Sequence, residues 1–320
     1  MVELPLGRYR FAFEAVEPGC VGAFAGSAWR GAFGAALKRT VCVTRLPACD
    51  ACPLVGTCVF PSLFEGRQRS DAARLSSLSR VPVPFVFDPP TTSFVRFAPG
   101  EPVAVDLTLV GDANRRLPYI VHAMAEAGAR GLGPARARLT LAAVDRLAGL
   151  DGTPFERLYD GAERCRAVTP VSPAPAPYDA PELTVELRTP LRLRLDGDLV
   201  TPERFVPAHL IHAVVRRVSA LAAFHAGAPI EADYRSIRDL ALRVGIAGRD
   251  LRWADRRRYS SRQGQLMAMG GLVGRCAFTI PPEARSLIPW LQLGQWVGAG
   301  KGASMGLGQY RLHPADGADA

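Results

Sequence analysis

From Leu183 to Leu195 apolar and polar positions alternate, with Leu183, Val185 and Leu187, then Leu191, Leu193 and Leu195, set against Arg188, Arg192 and Arg194. A period of two predicts a half-buried strand, or a bent pair of strands. The period then changes. Across Pro207–Ala226 the residues Ile211, Val214, Val215, Val218, Leu221 and Ala222 recur at helical spacing, which predicts an amphipathic helix. Leu240–Ile246 reads as a further strand or short helix and Gly271–Ile280 as a strand. Glu283–Trp296 reads as a helix that Pro289 disturbs, and Leu307–His313 as a last strand. That order approximates βαββαβ, the split βαβ or ferredoxin-like unit.

The first half carries a weaker version of the same grammar. Arg8–Glu17 alternates as a strand, Ser27–Arg39 has helical Trp29, Phe33 and Leu37, and Val103–Val110 reads as a strand. Leu117–Ala127 then reads as a helix and Arg138–Val144 as a strand. Gly131-Leu-Gly133 fills the slot that Gly306-Leu-Gly308 fills in the second half, which suggests a tandem duplication. Between the halves, Ala167–Pro181 is rich in proline, which excludes regular structure and favours an extended spacer. The expectation is an α+β chain of two tandem ferredoxin-like (RRM-like) domains. They span residues 1–170 and 182–320, joined by a linker over 171–181.

The chain has 320 residues, enough for two modest cores, and 48% of them are hydrophobic without any long uncharged apolar run. A soluble, cytoplasmic protein without a membrane partner is expected, since Met1-Val-Glu-Leu-Pro5 lacks the layout of a signal peptide. The formal net charge is +9, which suits an anionic partner. Almost all the cations are arginine, whose planar fork pairs with phosphate and stacks on bases; only Lys38 and Lys301 are lysines.

Lys301 stands inside a glycine-rich stretch, Trp296–Tyr310, among Gly298, Gly300, Gly302, Gly306 and Gly308. Glycines permit positive φ and close approach, and a lysine among exposed backbone N–H groups describes an anion site. A nucleotide P-loop is excluded, because Gly302 and not Ser or Thr follows the lysine and a strand follows the loop. A dinucleotide turn is excluded because it opens its domain. A polymeric phosphate backbone remains.

Trp253–Gln263 supports that reading. Four arginines (Arg256, Arg257, Arg258, Arg262) interleave with Trp253 and Tyr259, beside Ser260 and Gln263, the mix that holds single-stranded nucleic acid by phosphate contact and stacking. A charged run is more commonly a solvated loop; the aromatics, hydroxyls and amide tilt it towards function. On the Pro207–Ala226 helix, His209, His212 and Arg216 share a face offset from the apolar stripe, and His225 sits at the helix end. An imidazole suits general acid–base work near neutral pH. Cys42, Cys49, Cys52 and Cys58 lie within seventeen residues. In a cytoplasmic chain such clustered thiols usually hold metal. Structural zinc leads, an iron–sulfur cluster competes, and a plain core role for Cys42 with no metal is the third reading.

The loop Gly-Lys-Gly-x-Ser-x-Gly-x-Gly-x-Tyr before a final strand resembles the glycine-rich signature of the RAMP superfamily of CRISPR-associated proteins. More narrowly, the chain resembles the superfamily's precursor-crRNA-processing endoribonucleases. Arg258–Gln263, Gly270-Gly-Leu-Val-Gly274 and Trp29-Arg-Gly-Ala-Phe-Gly34, with its cysteine cluster reaching Phe64-Glu65, match one branch. The likeness covers most of the chain and leaves Gly66–Val103 unassigned. It implies metal-independent cleavage of CRISPR repeat RNA, in which the 2′-OH attacks the adjacent phosphate and leaves a 2′,3′-cyclic phosphate and a 5′-OH. It also implies a prokaryotic source and, as further partners, subunits of a CRISPR effector complex.

The first-domain helix departs from the resemblance. It offers Trp29, Arg30, Lys38 and Arg39 where many relatives keep a catalytic His or Tyr. The assignment is therefore His212 as general base or acid and His225 second, with Lys301 and Arg262 stabilising phosphate and Tyr259 near the scissile nucleotide. Arg30, Arg216, Arg256, Arg257, Arg258, Ser260, Gln263, Ser304 and the five loop glycines complete the RNA-binding set. The missing histidine leaves a non-catalytic crRNA-binding subunit as the alternative, while a metal-dependent nuclease is disfavoured because no carboxylates cluster beside the histidines.

Overall fold

The computed structural model describes residues 2–22, 25–66, 81–88, 94–161, 164–260 and 265–314, with the side chains of 257–260 and 266 outside the description. The chain groups into two units. One holds residues 4–172 with 220–229; the other holds 1–3, 173–219 and 230–320.

The first unit runs β1 (Leu6–Ala15), β2 (Gly19–Gly22), α1 (Ala25–Val41), β3 (Phe85–Asp88), β4 (Phe94–Phe97), β5 (Pro102–Val110), α2 (Leu117–Ala129), β6 (Leu139–Ala148) and β7 (Thr153–Tyr159). Its main sheet is antiparallel in the order β3-β5-β1-β6-β7. Without the added edge strand β7 and the β2–β4 ribbon, this is the ferredoxin-like βαββαβ order. Alternation along β1 buries Tyr9, Phe11 and Phe13, and α1 brings Trp29, Phe33 and Leu37 into the same core as Ile120 and Met124 of α2. The rings of Phe13 and Trp29 lie 4.9 Å apart. Arg8 is buried between strands and pairs with Asp88 and Asp106, while Arg10 Nε donates to Asp106 Oδ1 at 2.8 Å. Buried charge is thus paired, as desolvation requires. Strand β3 was not foreseen, because Phe85, Val86 and Phe87 are all buried and so show no period.

The second unit runs β8 (Glu182–Leu191), β9 (Arg194–Leu195), β10 (Asp198–Leu199), α3 (Pro207–His225), α4 (Tyr234–Ala241), β11 (Gly245–Ala254), β12 (Arg257–Ser260), β13 (Gln265–Ala268), β14 (Gly271–Thr279), α5 (Ile288–Val297) and β15 (Tyr310–Pro314). Residues 220–225 of α3 count with the first unit. The sheet order β11-β14-β8-β15 again gives the ferredoxin-like arrangement. The chain is α+β with two tandem ferredoxin-like folds.

Two boundaries differ from the sequence reading. The second strand is β11 at 245–254; as an edge strand it buries little and carries Arg249, Asp250 and Arg252, which mask its alternation. Pro289 lies in the first turn of α5, so it starts the helix after a 3-10 turn at Pro282–Leu287, where its missing N–H costs nothing. The proline-rich stretch is tied down along its length. Ala176 O accepts from Gln292 Nε2 at 2.7 Å and Asp179 O from Arg285 Nη2 at 2.6 Å. Among the described residues no helix is long and apolar enough to cross a membrane.

Candidate nucleic-acid interface

All five glycines of the loop have positive φ, from 65° at Gly308 to 84° at Gly302. The loop is sewn to the end of β8. Lys301 N–H donates to Arg192 O at 2.9 Å, Gly308 N–H to Pro190 O at 3.1 Å, and Ala299 N–H closes the loop on Gly308 O at 2.9 Å. Ala299, Ala303, Leu307 and Tyr310 are buried beneath it, and Tyr310 Oη donates to Leu291 O at 2.6 Å. From α3, Arg217 Nε donates at 2.8 Å to Val297 O, the last carbonyl of α5, and so fixes where the loop begins. What faces outward is small and specific. Lys301 is exposed, Ser304 is half-buried, and the N–H groups of Gly300, Gly302, Ala303 and Ser304 find no acceptor among the described residues. The Lys301 ammonium likewise has no hydrogen-bond or ion-pair partner among them.

The arginine-aromatic run is not the loop that its charge suggested. Trp253 ends β11, and Arg257–Ser260 form β12, which pairs with β13 so that Arg257 faces Ala268 and Ser260 faces Gln265. Arginine, tyrosine and serine thus line one strand of a hairpin that leaves the sheet between β11 and β14. Arg262 and Gln263 lie outside the described residues. At the hairpin base Met269 N–H donates to Arg256 O at 2.7 Å, and Arg192 Nη1 donates to Gly270 O at 2.7 Å. Gly270 has no room for a side chain, since a Cβ would stand 2.8 Å from Trp253 Nε1. Arg192 therefore joins the hairpin base through its side chain to the lysine loop through its carbonyl. Burial and the neighbouring Arg194 hold the Arg192 guanidinium below its ordinary pKa.

Residues 185–310 match the family model described as CRISPR-associated endoribonuclease Cas6, a span that starts inside β8 and stops at the tyrosine closing the glycine loop. Residues 4–172, more than half the chain, match a second model described as an N-terminal domain. The second half of the chain thus carries a domain of the CRISPR-associated endoribonuclease Cas6 family. It is 25% identical over 295 residues to an uncharacterised protein of Archaeoglobus fulgidus, covering 90% of this chain and 91% of that one. Two solved structures show the same fold. A Cas6 product complex superposes with a TM-score of 0.59 at 17% identity, over 97% of this chain and 99% of that one. Thermus thermophilus Cas6 gives 0.53 at 17% identity, with the same coverage.

The histidines of this chain are not equivalent. His212 is half-buried on α3, and its Nε2 lies 3.4 Å from Arg238 O, longer than a good hydrogen bond, so the ring is loosely held. His225 Nε2 sits 2.7 Å from Pro82 O, a tight contact that makes this nitrogen a donor. His209 Nδ1 accepts the Val206 N–H at 3.3 Å. Burial, with His212 and Arg204 nearby, holds its pKa below the ordinary histidine value. Sequence reasoning passed over His313, whose Nε2 lies 2.9 Å from Glu186 Oε2 on the neighbouring strand. Arg216 is exposed, one turn beyond His212.

Arg30 turns inward, its guanidinium stacked 4.4 Å from the Phe64 ring centroid, which gives it a packing role in α1. The four clustered cysteines form no disulfide and line one cavity, with the Thr44 hydroxyl 3.9 Å from Cys42 Sγ and 3.5 Å from Cys52 Sγ. Hydrogen bonds from Thr44 and from the Leu54 N–H draw the Cys52 thiol below its ordinary pKa. Among the described residues no three potential ligands stand at metal-binding spacing. Cys276, in contrast, is buried in the second unit, and burial pushes its thiol up to about 11.

Proposed function

We propose that this protein binds CRISPR repeat RNA and cuts precursor crRNA by attack of a ribose 2′-OH on the adjacent phosphate, giving a 2′,3′-cyclic phosphate and a 5′-OH. The observation that carries the reading is the pairing of the Lys301 ammonium and four N–H groups, without partners among the described residues, with the arginine hairpin, linked through Arg192. Such a surface grips a phosphate backbone by charge and by donors preorganised for developing negative charge.

Proton transfer falls to His212. Arg217, on the same helix, touches the first residue before the glycine loop, and His212 lies about 7.5 Å further along the axis at 1.5 Å per residue. His313 is five strand residues beyond Gly308, roughly 16 Å away, at the other end of β8. His212 would take the 2′-OH proton or protonate the leaving 5′-oxygen. Lys301 and the open amides would hold the non-bridging oxygens as charge builds. Arg256, Arg257, Arg258 and Tyr259 would hold and stack the flanking strand.

The test is cleavage of a repeat RNA in EDTA, with a matched substrate carrying 2′-deoxyribose at the scissile nucleotide. Cyclic-phosphate ends from the first and an intact second are expected. Cutting of the deoxy substrate, or cutting that stops in EDTA and returns with Mg²⁺, would overturn the mechanism.

A further inference from the structure

The segment from Cys42 to Cys58 has no obvious means of holding its shape. Val43 is 78% exposed, and Leu46 and Leu54 also face solvent, so it builds no apolar core of its own. Short turns carry it instead: Cys52 N–H donates to Cys49 O at 3.2 Å and Cys58 N–H to Leu54 O at 2.9 Å. These turns and the end of α1 bring Cys42, Cys49, Cys52 and Cys58 to the wall of a single cavity of about 20 Å³, room for roughly one water-sized body. Of the chain's seven cysteines, the four on this wall are the four that cluster in sequence.

We propose that these four cysteines form a structural site for one zinc ion. Zinc takes four thiolates in a tetrahedron at about 2.3 Å, and since no three of these sulfurs stand at metal-binding spacing here, binding would draw them inward across a cavity of about 20 Å³. Cys49 and Cys52 are separated by two residues across the turn closed by the Cys52 N–H bond to Cys49 O, a ligand spacing that structural zinc sites use. The Thr44 hydroxyl stands 3.5 Å from Cys52 Sγ, where it can donate to a bound thiolate. A tetrathiolate zinc centre carries a net negative charge, and Lys38 at the cavity rim offsets it, positioned by the bond from its Nζ to Pro47 O at 2.8 Å. The ion would join the end of α1 to the segment Pro61–Glu65, whose Phe64 packs under Arg30. It plays no part in cutting RNA.

The test measures metal in the full chain purified without chelator. About one zinc per chain is expected, together with thiolate-to-metal charge-transfer and tetrahedral bands when Co²⁺ replaces it. Cys49→Ser and Cys52→Ser should each lower bound zinc at least ~tenfold, while Cys165→Ser retains it. Should the variants fail to fold, the Co²⁺ spectrum of the native chain stands alone. Native protein that carries no metal and gives no such spectrum overturns the site. Iron with labile sulfide overturns the assignment to zinc.

Discussion

Replacing Gly308 by alanine tests whether the glycine loop is held as described. Its φ is +65°, and a Cβ there would stand 1.9 Å from Ala299 O, which is backbone and cannot rotate away. The left-handed conformation costs a non-glycine residue roughly 1–2 kcal/mol. Relieving the clash also separates Ala299 from Gly308 and lifts Gly308 from Pro190, forfeiting hydrogen bonds of 2.9 and 3.1 Å worth about 1 kcal/mol each. The expected loss is about 3–4 kcal/mol. Gly197→Ala is the internal standard, because Gly197 has φ +94° with nothing within 4 Å of its Cβ, leaving a cost of only ~1–2 kcal/mol. Urea unfolding followed by tryptophan fluorescence reads the difference through Trp290 and Trp296 on α5 beside the loop, at unchanged m-value. Equal midpoints for the two variants would refute the loop's attachment to β8.

His212→Ala should lower cleavage about 10²-fold with RNA binding retained. His225→Ala should leave turnover intact and cost stability instead, since its Nε2 is committed to Pro82 O; the reverse ranking would return catalysis to His225. Lys301→Ala should weaken RNA binding and reduce the slope of log K against log salt by about 0.7, the value for one single-strand phosphate contact. An unaltered slope removes Lys301 from the interface. The pKa of His209 is held down in the fold, so the unfolded chain takes up the proton first on acidification. Its stability contribution is fully present above the unfolded value of about 6.5 and fades as pH falls below it. His209→Asn should flatten the unfolding profile in that window; superimposable profiles would show that His209 contributes nothing there.

Features that depend on backbone chemistry could be read from the sequence. The loop glycines declared positive φ, and all five have it. Long alternating or helical segments such as β8 and α3 were equally legible. The arginine run was harder. Its residue types suggested RNA contact, yet the charges concealed that β11 continues to Ala254 and that a hairpin follows. The buried Phe85–Asp88 strand offered no period at all. A single histidine on a strand carries no signal either; only the pairing of β15 with β8, which sets His313 opposite Thr184 and beside Glu186, reveals the couple. Contacts between residues over a hundred positions apart are decided by register, and register is a property of the assembled sheet.

The two Gly-Leu-Gly turns share one structural device, on which the proposed anion site of the second unit would be built. In both, the glycines have positive φ, the leucine is buried, and a Cβ on the second glycine would strike a backbone carbonyl: Cys20 O for Gly133, Ala299 O for Gly308. In the first unit the turn is shut. Leu132 and Ala137 exchange N–H···O bonds of 2.9 and 3.1 Å, and Arg136 N–H closes on Gly133 O. In the second unit the same turn is preceded by Gly298–Met305, where four N–H groups and one ammonium find no partner among the described residues. Chain reversal before the last strand therefore needs only the Gly-Leu-Gly element, and under the proposed function phosphate binding would come from the segment that precedes it. Shortening that segment to the length of the first turn should preserve the fold of β15 and abolish RNA binding. Such an outcome would separate the two roles, whereas loss of both together would show that the segment is needed for the strand as well.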